Sequence, residues 1–130
     1  MILTDTSVWV EFLRGSQHPA RAALREILER EEAAIAPPIV MELLAGVPPG
    51  RSSLEMRQRL LAMRVLPLGL ADYEDAAEVY RLCRRAGETV RSLLDCLIAV
   101  VAIREDMEVL HADRDFDVIA RHTDLRVLEV

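Results

Sequence analysis

The stretch Met1-Ile2-Leu3-Thr4-Asp5-Thr6-Ser7-Val8-Trp9 decides how the chain is read. Ile2 and Leu3 have no polar alternation around them, the pattern of a short strand buried on both faces, as in a parallel sheet. The strand stops at Asp5, and Thr6-Ser7 supply hydroxyls of the kind that start a helix. Val8/Phe12 and Trp9/Leu13 then pair at i,i+4, giving a helix with one apolar face that closes at Gly15. An open α/β sheet collects ligands at the carboxyl ends of its strands, so Asp5 stands where such a fold does its chemistry. Taken alone, Asp5 reads first as a helix-capping carboxylate, and the acids further along change that reading.

Working outward, 130 residues with 52% apolar content predict one domain, spanning 1–130, with a substantial core. No apolar run reaches the length of a membrane span. A strand beginning at Ile2 leaves no room for a cleaved leader, and the expectation is a cytoplasmic protein. Cys83 and Cys96 lack C-x-x-C spacing and read as small core residues. All 16 basic residues are Arg, and no Lys occurs. Schiff-base chemistry, a P-loop Lys and a phospho-receiver Lys are therefore excluded. A net charge of −6 argues against a passive nucleic-acid coat. It is compatible with an enzyme that gathers acids around a metal and meets phosphates with a few Arg.

Further along, Ser16-Gln17-His18-Pro19 is a turn that leads into a helix with Leu24, Ile27 and Leu28 buried. Ala33-Ala34-Ile35-Ala36 fits a second buried strand. Pro37-Pro38 ends it and opens a helix from Ile39 to about Gly46, with Glu42 on its second turn. After a loop at Pro48-Pro49-Gly50-Arg51-Ser52, a helix from about Leu54 to Met63 precedes Val65-Leu66-Pro67-Leu68. The internal Pro makes that last segment an edge or a strand end. Asp72 is expected to cap a long amphipathic helix closed by Gly87.

Ser92 to Ile103 is apolar almost all round and predicts a buried helix. Its one charge is Asp95, in the first turn, and a lone carboxylate there costs several kcal/mol unless it is paired or bound to metal. Val109-Leu110 is a buried strand that, like the first, runs into Asp. In Asp113-Arg114-Asp115-Phe116-Asp117, Asp117 is expected to cap a short helix from Val118 to Arg121, leaving Asp113 and Asp115 at the strand end. The spacing does not fit an EF-hand loop. His111 reads as a packed residue, and Arg126-Val127-Leu128 as a last short strand.

Four acids, Asp5, Glu42, Asp95 and Asp113, thus stand at strand ends or early in the helices that follow strands. In a parallel α/β sheet those positions share one edge. Clustered carboxylates of this kind suit a hard divalent cation, Mg²⁺ or Mn²⁺, which can activate water and stabilise charge on a phosphoryl group. The motifs G-x-S-x-G, G-x-G-x-x-G and H-E-x-x-H are absent.

Ile2-Leu3-Thr4-Asp5-Thr6-Ser7, Met41-Glu42-Leu43, Ser92-Leu93-Leu94-Asp95-Cys96-Leu97-Ile98-Ala99 and Leu110-His111-Ala112-Asp113-Arg114-Asp115-Phe116 together resemble the PIN domain. More narrowly, they resemble the VapC ribonuclease toxins of type II toxin–antitoxin pairs. The resemblance covers essentially the whole chain. It implies a PIN-like α/β fold with a mostly parallel sheet flanked by helices and a Mg²⁺- or Mn²⁺-dependent endoribonuclease activity. It further implies a homodimer and silencing by a VapB-like antitoxin. By motif, Asp5 and Asp95 correspond to metal ligands, Glu42 and Asp113 complete the acidic site, and Thr6 and Asp115 support it. The chain departs from the family at His111-Ala112, where Thr or Asn is more usual. The alternative is a PIN-like fold that acts as an interaction module without cleavage. A metal-dependent phosphatase of another α/β family fits less well, because no second Asp follows Asp5 two residues on.

Overall fold

The computed structural model describes residues 1–130. Four short strands, β1 (Ile2–Thr4), β2 (Ala33–Ile35), β3 (Arg64–Val65) and β4 (Glu108–Leu110), form one sheet in the order β3-β2-β1-β4. Every pairing is parallel, with Leu3 opposite Ala34 on one side and Val109 on the other. The chain moves outward from β1 in one direction through β2 and β3, then returns to place β4 on its other side. The strand order therefore reverses beside β1, the place where an open α/β sheet gathers ligands at its carboxyl ends. The ladder between β1 and β4 closes where the Asp5 N–H donates to the Leu110 carbonyl at 3.0 Å.

Seven helices complete the α/β fold: α1 (Thr6–Arg14), α2 (Pro19–Glu29), α3 (Pro37–Gly46), α4 (Arg51–Leu61), α5 (Leu70–Arg85), α6 (Leu93–Arg104) and α7 (Arg114–His122). They fall into two packed groups: α1 packs on α2 and α3, with α4 on α3, and α5, α6 and α7 pack against one another. α6 is the central post. Every residue from Asp95 to Ala102 is buried, as its unbroken apolar run requires, and each large side chain such as Leu97 or Ile98 contributes about 1.5–3 kcal/mol of hydrophobic stabilisation. Trp9 is fully buried beneath the sheet edge. Its indole N–H donates to the Thr4 hydroxyl, which in turn donates to the Ala34 carbonyl, so β1, β2 and α1 are tied together. Cys83 and Cys96 are buried free thiols.

Several boundaries differ from the sequence reading. Asp5 itself caps α1, accepting the Ser7 N–H, so the strand-ending acid and the helix start are one residue and Thr6 is already helical. Leu13 lies on the exposed side of α1, whereas Gly15 closes the helix with φ 65° as expected. Helix α4 begins at Arg51, because the peptide at Gly50, with φ 94°, turns the chain before the expected start. Asp72 does not cap α5. Gly69 holds that position, and Asp72 reaches back from the first turn to accept the Gly69 N–H while also taking the Arg104 guanidinium. Asp117 lies inside α7, which is capped by Asp113, so the helix is a full turn longer than expected. Arg126-Val127-Leu128 adds only a single bridge, Val127 to Val109. The edge placement of the Pro67 segment holds, with β3 shifted to Arg64–Val65. No helix is long and apolar enough to cross a membrane.

Candidate active site

The carboxyl ends of β1 and β4 set the site. Asp5 follows β1, and its Oδ2 accepts both the Ser7 N–H at 2.9 Å and the Ser7 hydroxyl at 2.6 Å. That hydroxyl also accepts the Ala112 N–H at 2.9 Å, which lashes the end of β1 to the loop after β4. The position where the chain departs from the PIN pattern is therefore held through its backbone, and Ala112 needs no side-chain hydrogen bond. Asp113 caps α7, with its Oδ1 accepting the Asp115 N–H at 3.0 Å. His111 packs against the Phe116 ring at 5.1 Å between centroids, and its Nδ1 accepts the Asp113 N–H. It is a packing residue just past the end of β4, with its Nε2 3.4 Å from Asp117 Oδ1.

Asp95 enters from the first turn of α6. One ligand oxygen from each of Asp95, Asp113 and Asp115 lies within 4.8 Å of the others. Asp5 and Glu42 border this group: the charge of Asp5 acts on Asp95, and that of Glu42 on Asp5. The structure thus brings all four expected acids to one sheet edge. Asp115 joins the tightest three rather than standing behind them. It is buried to 1% exposure, and its Oδ2 accepts the Arg91 N–H at 3.0 Å, fixing the loop between α5 and α6. Glu42 is exposed on α3 and accepts the Thr6 hydroxyl at 2.9 Å.

Crowding these acids is unfavourable. Two carboxylates about 5 Å apart repel by roughly 3 kcal/mol at an effective dielectric near 20. Burial, followed by the charges of Asp5, Asp113 and Asp115, pushes the Asp95 carboxyl up to about 8. Burial raises Asp5 as well, against the opposing effect of the Ser7 hydrogen bonds. Asp95 Oδ2 and Asp115 Oδ1 are buried acceptors with no hydrogen-bond partner. Unsatisfied buried carboxylate oxygens in native structures call for a partner, and two of them here share a cluster with a third carboxylate. Hard oxygen donors at this spacing can hold a divalent cation, which would satisfy both.

Ser7 and Arg91 were not singled out from the sequence. Ser7 had a local signal, a hydroxyl two residues beyond an acid that caps a helix. Arg91 had none, because its contacts reach across 22 and 24 residues to Asp113 and Asp115.

Comparison with known proteins places this geometry. The PIN domain model matches residues 2–122. Ribonuclease VapC11 of Mycobacterium tuberculosis is 45% identical over 129 residues, covering 97% of this chain and 96% of that protein. Among solved structures, FitAcB from Neisseria gonorrhoeae superposes with a TM-score of 0.72 at 25% identity, covering 99% of this chain and 97% of that one. VapBC-5 from Mycobacterium tuberculosis, a member of the VapBC family of toxin–antitoxin systems, shares the fold with a TM-score of 0.69 at 20% identity, covering 99% and 98%. With the strand order, the acid-bearing strand ends and a relative this similar over nearly its whole length all in agreement, the chain belongs to the PIN-domain family, on its VapC ribonuclease branch.

Proposed function

We propose that this protein is a Mg²⁺- or Mn²⁺-dependent endoribonuclease, the toxin of a VapBC-type pair, and that Asp5, Glu42, Asp95 and Asp113 form its active site. The observation that carries the reading is the trio Asp95, Asp113 and Asp115, with two unpartnered buried oxygens, at the switch point of a PIN fold. An interaction module without cleavage has no use for carboxylates whose crowding destabilises the fold. A bound Mg²⁺ or Mn²⁺ supplies a water of lowered pKa and stabilises charge on the phosphoryl oxygens.

The chain's own residues do the rest. Asp5, just past β1, and Asp95, in the first turn of α6, are cation ligands in this reading, and Asp113 and Asp115, which offer oxygens within 4.8 Å of one from Asp95, complete the ligand set. Ser7 holds the Asp5 carboxylate in place by two hydrogen bonds to Oδ2. Thr6 holds Glu42 at the rim, where it is exposed and able to take a proton from water. The buried wall of α6 behind Asp95 keeps the local dielectric low and strengthens every charge interaction in front of it.

RNA is the proposed substrate, in line with the ribonuclease relative. A VapB-like antitoxin is the proposed partner, in line with the toxin–antitoxin assemblies that share the fold. Arg is the side chain expected from it at the acids, since a guanidinium pairs with carboxylates bidentately. A homodimer is proposed on the resemblance alone. The test is cleavage of a structured RNA by purified protein with Mg²⁺ or Mn²⁺, with EDTA, and with metal restored. Cleavage that stops in EDTA and returns with metal supports the proposal. Cleavage undiminished in EDTA, or none under any condition, overturns it.

A further inference from the structure

Arg91 is the one cation of the chain that ion-pairs with the acidic cluster. Its guanidinium lies 3.4 Å from Asp113 Oδ1 and 3.5 Å from Asp115 Oδ1. The other Arg ion pairs lie elsewhere on the molecule, and the neighbouring His111–Asp117 pair involves none of the clustered acids. Backbone and side chain of Arg91 are held very differently. The backbone is fixed on three counts: its N–H donates to buried Asp115, Val90 before it is buried, and Ser92 after it caps α6. The side chain is 65% exposed, and its contact with Asp115 Oδ1 is not a hydrogen bond. An ion pair so exposed is weak. Arg91 is thus a long, exposed cation on a fixed backbone at the rim of the acids, with one 3.4 Å hydrogen bond to Asp113.

Asp113 and Asp115 cannot serve two cations equally. A divalent ion shared by Asp95, Asp113 and Asp115 draws on two of the carboxylates that the guanidinium faces. A compact double charge at about 2.1 Å outcompetes a single charge at 3.4–3.5 Å on both distance and valence. The displaced guanidinium keeps its mount and stays within side-chain reach of the site. Its planar fork fits the two non-bridging oxygens of a phosphodiester, a geometry Lys does not offer.

We propose that Arg91 is the phosphate-positioning residue of this ribonuclease: it competes with the divalent cation for Asp113 and Asp115, and once displaced it holds the RNA phosphodiester over the acids. The assignment rests on the function proposed above, and it makes cation entry and substrate capture linked events. Because coupling between two ligands is reciprocal, RNA that engages Arg91 also frees the carboxylates for the cation.

The test uses Arg91→Gln and Arg91→Lys in the full chain. Both keep the backbone N–H that Asp115 accepts, so both fold, as a melting curve checks. Calorimetric titration of Mn²⁺ into metal-free protein reads the first half. Arg91→Gln tightens Mn²⁺ binding about threefold, a change of about 0.6 kcal/mol, and Arg91→Lys stays near wild type. RNA cleavage at saturating Mn²⁺ reads the second half. Arg91→Gln raises KM for RNA more than it lowers kcat, and the salt dependence of kcat/KM loses about 0.7 of a logarithmic unit of slope, one phosphate contact on a single strand. Arg91→Lys restores the slope but not the full KM. Unchanged or weaker Mn²⁺ binding in Arg91→Gln overturns the competition. Tighter Mn²⁺ binding with KM and salt slope unchanged overturns the phosphate role. Wild-type protein that cleaves no RNA with Mn²⁺ defeats the proposed function instead, and the calorimetry still reports on the competition.

Discussion

Thr6 donates its hydroxyl to Glu42 across 2.9 Å, joining the first turn of α1 to the second turn of α3. The two residues are 36 positions apart, and this hydrogen bond is the one side-chain contact that aims the exposed Glu42 at the acids. Removing the donor should therefore change activity rather than folding. Thr6→Val keeps the side-chain shape, and we expect it to lower kcat/KM about tenfold, or about 1.4 kcal/mol, while the melting temperature stays within about 1 °C. Steady-state cleavage rates and a melting curve check this. A rate equal to wild type would show that Glu42 needs no orientation.

Product chemistry distinguishes a metal-activated water from the RNA's own 2′-hydroxyl as nucleophile. The acids here suit the former, so products should carry 5′-phosphate and 3′-hydroxyl ends. Ligation and phosphatase sensitivity of the fragments read the ends directly. Fragments ending in 2′,3′-cyclic phosphate would rule out attack by water.

Asp115 has two tasks that separate by substitution. It clamps the α5–α6 loop through the Arg91 N–H, and it presents a buried, unpartnered oxygen to the cluster. Asp115→Asn keeps a carbonyl oxygen for the clamp and removes the charge. It should hold the fold and weaken Mn²⁺ binding at least tenfold by calorimetry. Asp115→Ala should also lose about 1–3 kcal/mol of stability, because the Arg91 N–H is stranded. Unaltered Mn²⁺ affinity in Asp115→Asn would make the residue a loop clamp only.

Stability of the metal-free protein should run opposite to that of a protein held by salt-bridged carboxylates. Asp95 is raised from 3.8 to about 8 by burial first and the neighbouring acids second. In the window between those values the folded state binds more protons than the unfolded state. Stability then falls with rising pH, by up to roughly 1.4 kcal/mol per unit. Asp5 is raised too and adds to the slope at the acid end. In EDTA the melting temperature should be higher at pH 5 than at pH 8. The reverse order would mean that Asp95 is ionised and satisfied in the fold.

Much of this was legible from local pattern. Short apolar runs, Ile2-Leu3, Ala33 to Ala36 and Val109-Leu110, marked β1, β2 and β4, and an acid at the end of β1, another just past β4 and a third inside an otherwise apolar helix located the site edge. Cap positions were harder. Asp72 and Asp117 each looked like an N-cap, yet each lies inside its helix, because Gly69 and Asp113 adopt the extended backbone that a cap needs. A carboxylate satisfies a helix N-terminus from either the cap or the third position, and one sequence does not separate the two. The rank of Asp115 and the place of Arg91 depend on the α5–α6 loop folding over α7, a contact between segments more than 20 residues apart that no periodicity encodes.

Asp95→Asn tests most directly whether the acids are gathered for a cation rather than for the fold. The substitution removes one charge from the cluster and barely alters shape at a position only 8% exposed. Melting curves of wild type and variant at pH 8, in EDTA and in Mn²⁺, are the measurement. Wild type should gain about 2.7 kcal/mol from Mn²⁺ at a hundred times its dissociation constant. Asp95→Asn should melt higher than wild type in EDTA by roughly 3–8 °C, gain little from Mn²⁺ and cleave no RNA. A variant that melts lower than wild type in EDTA at pH 8, or that keeps the full Mn²⁺ response, would make Asp95 a structural residue and contradict the account.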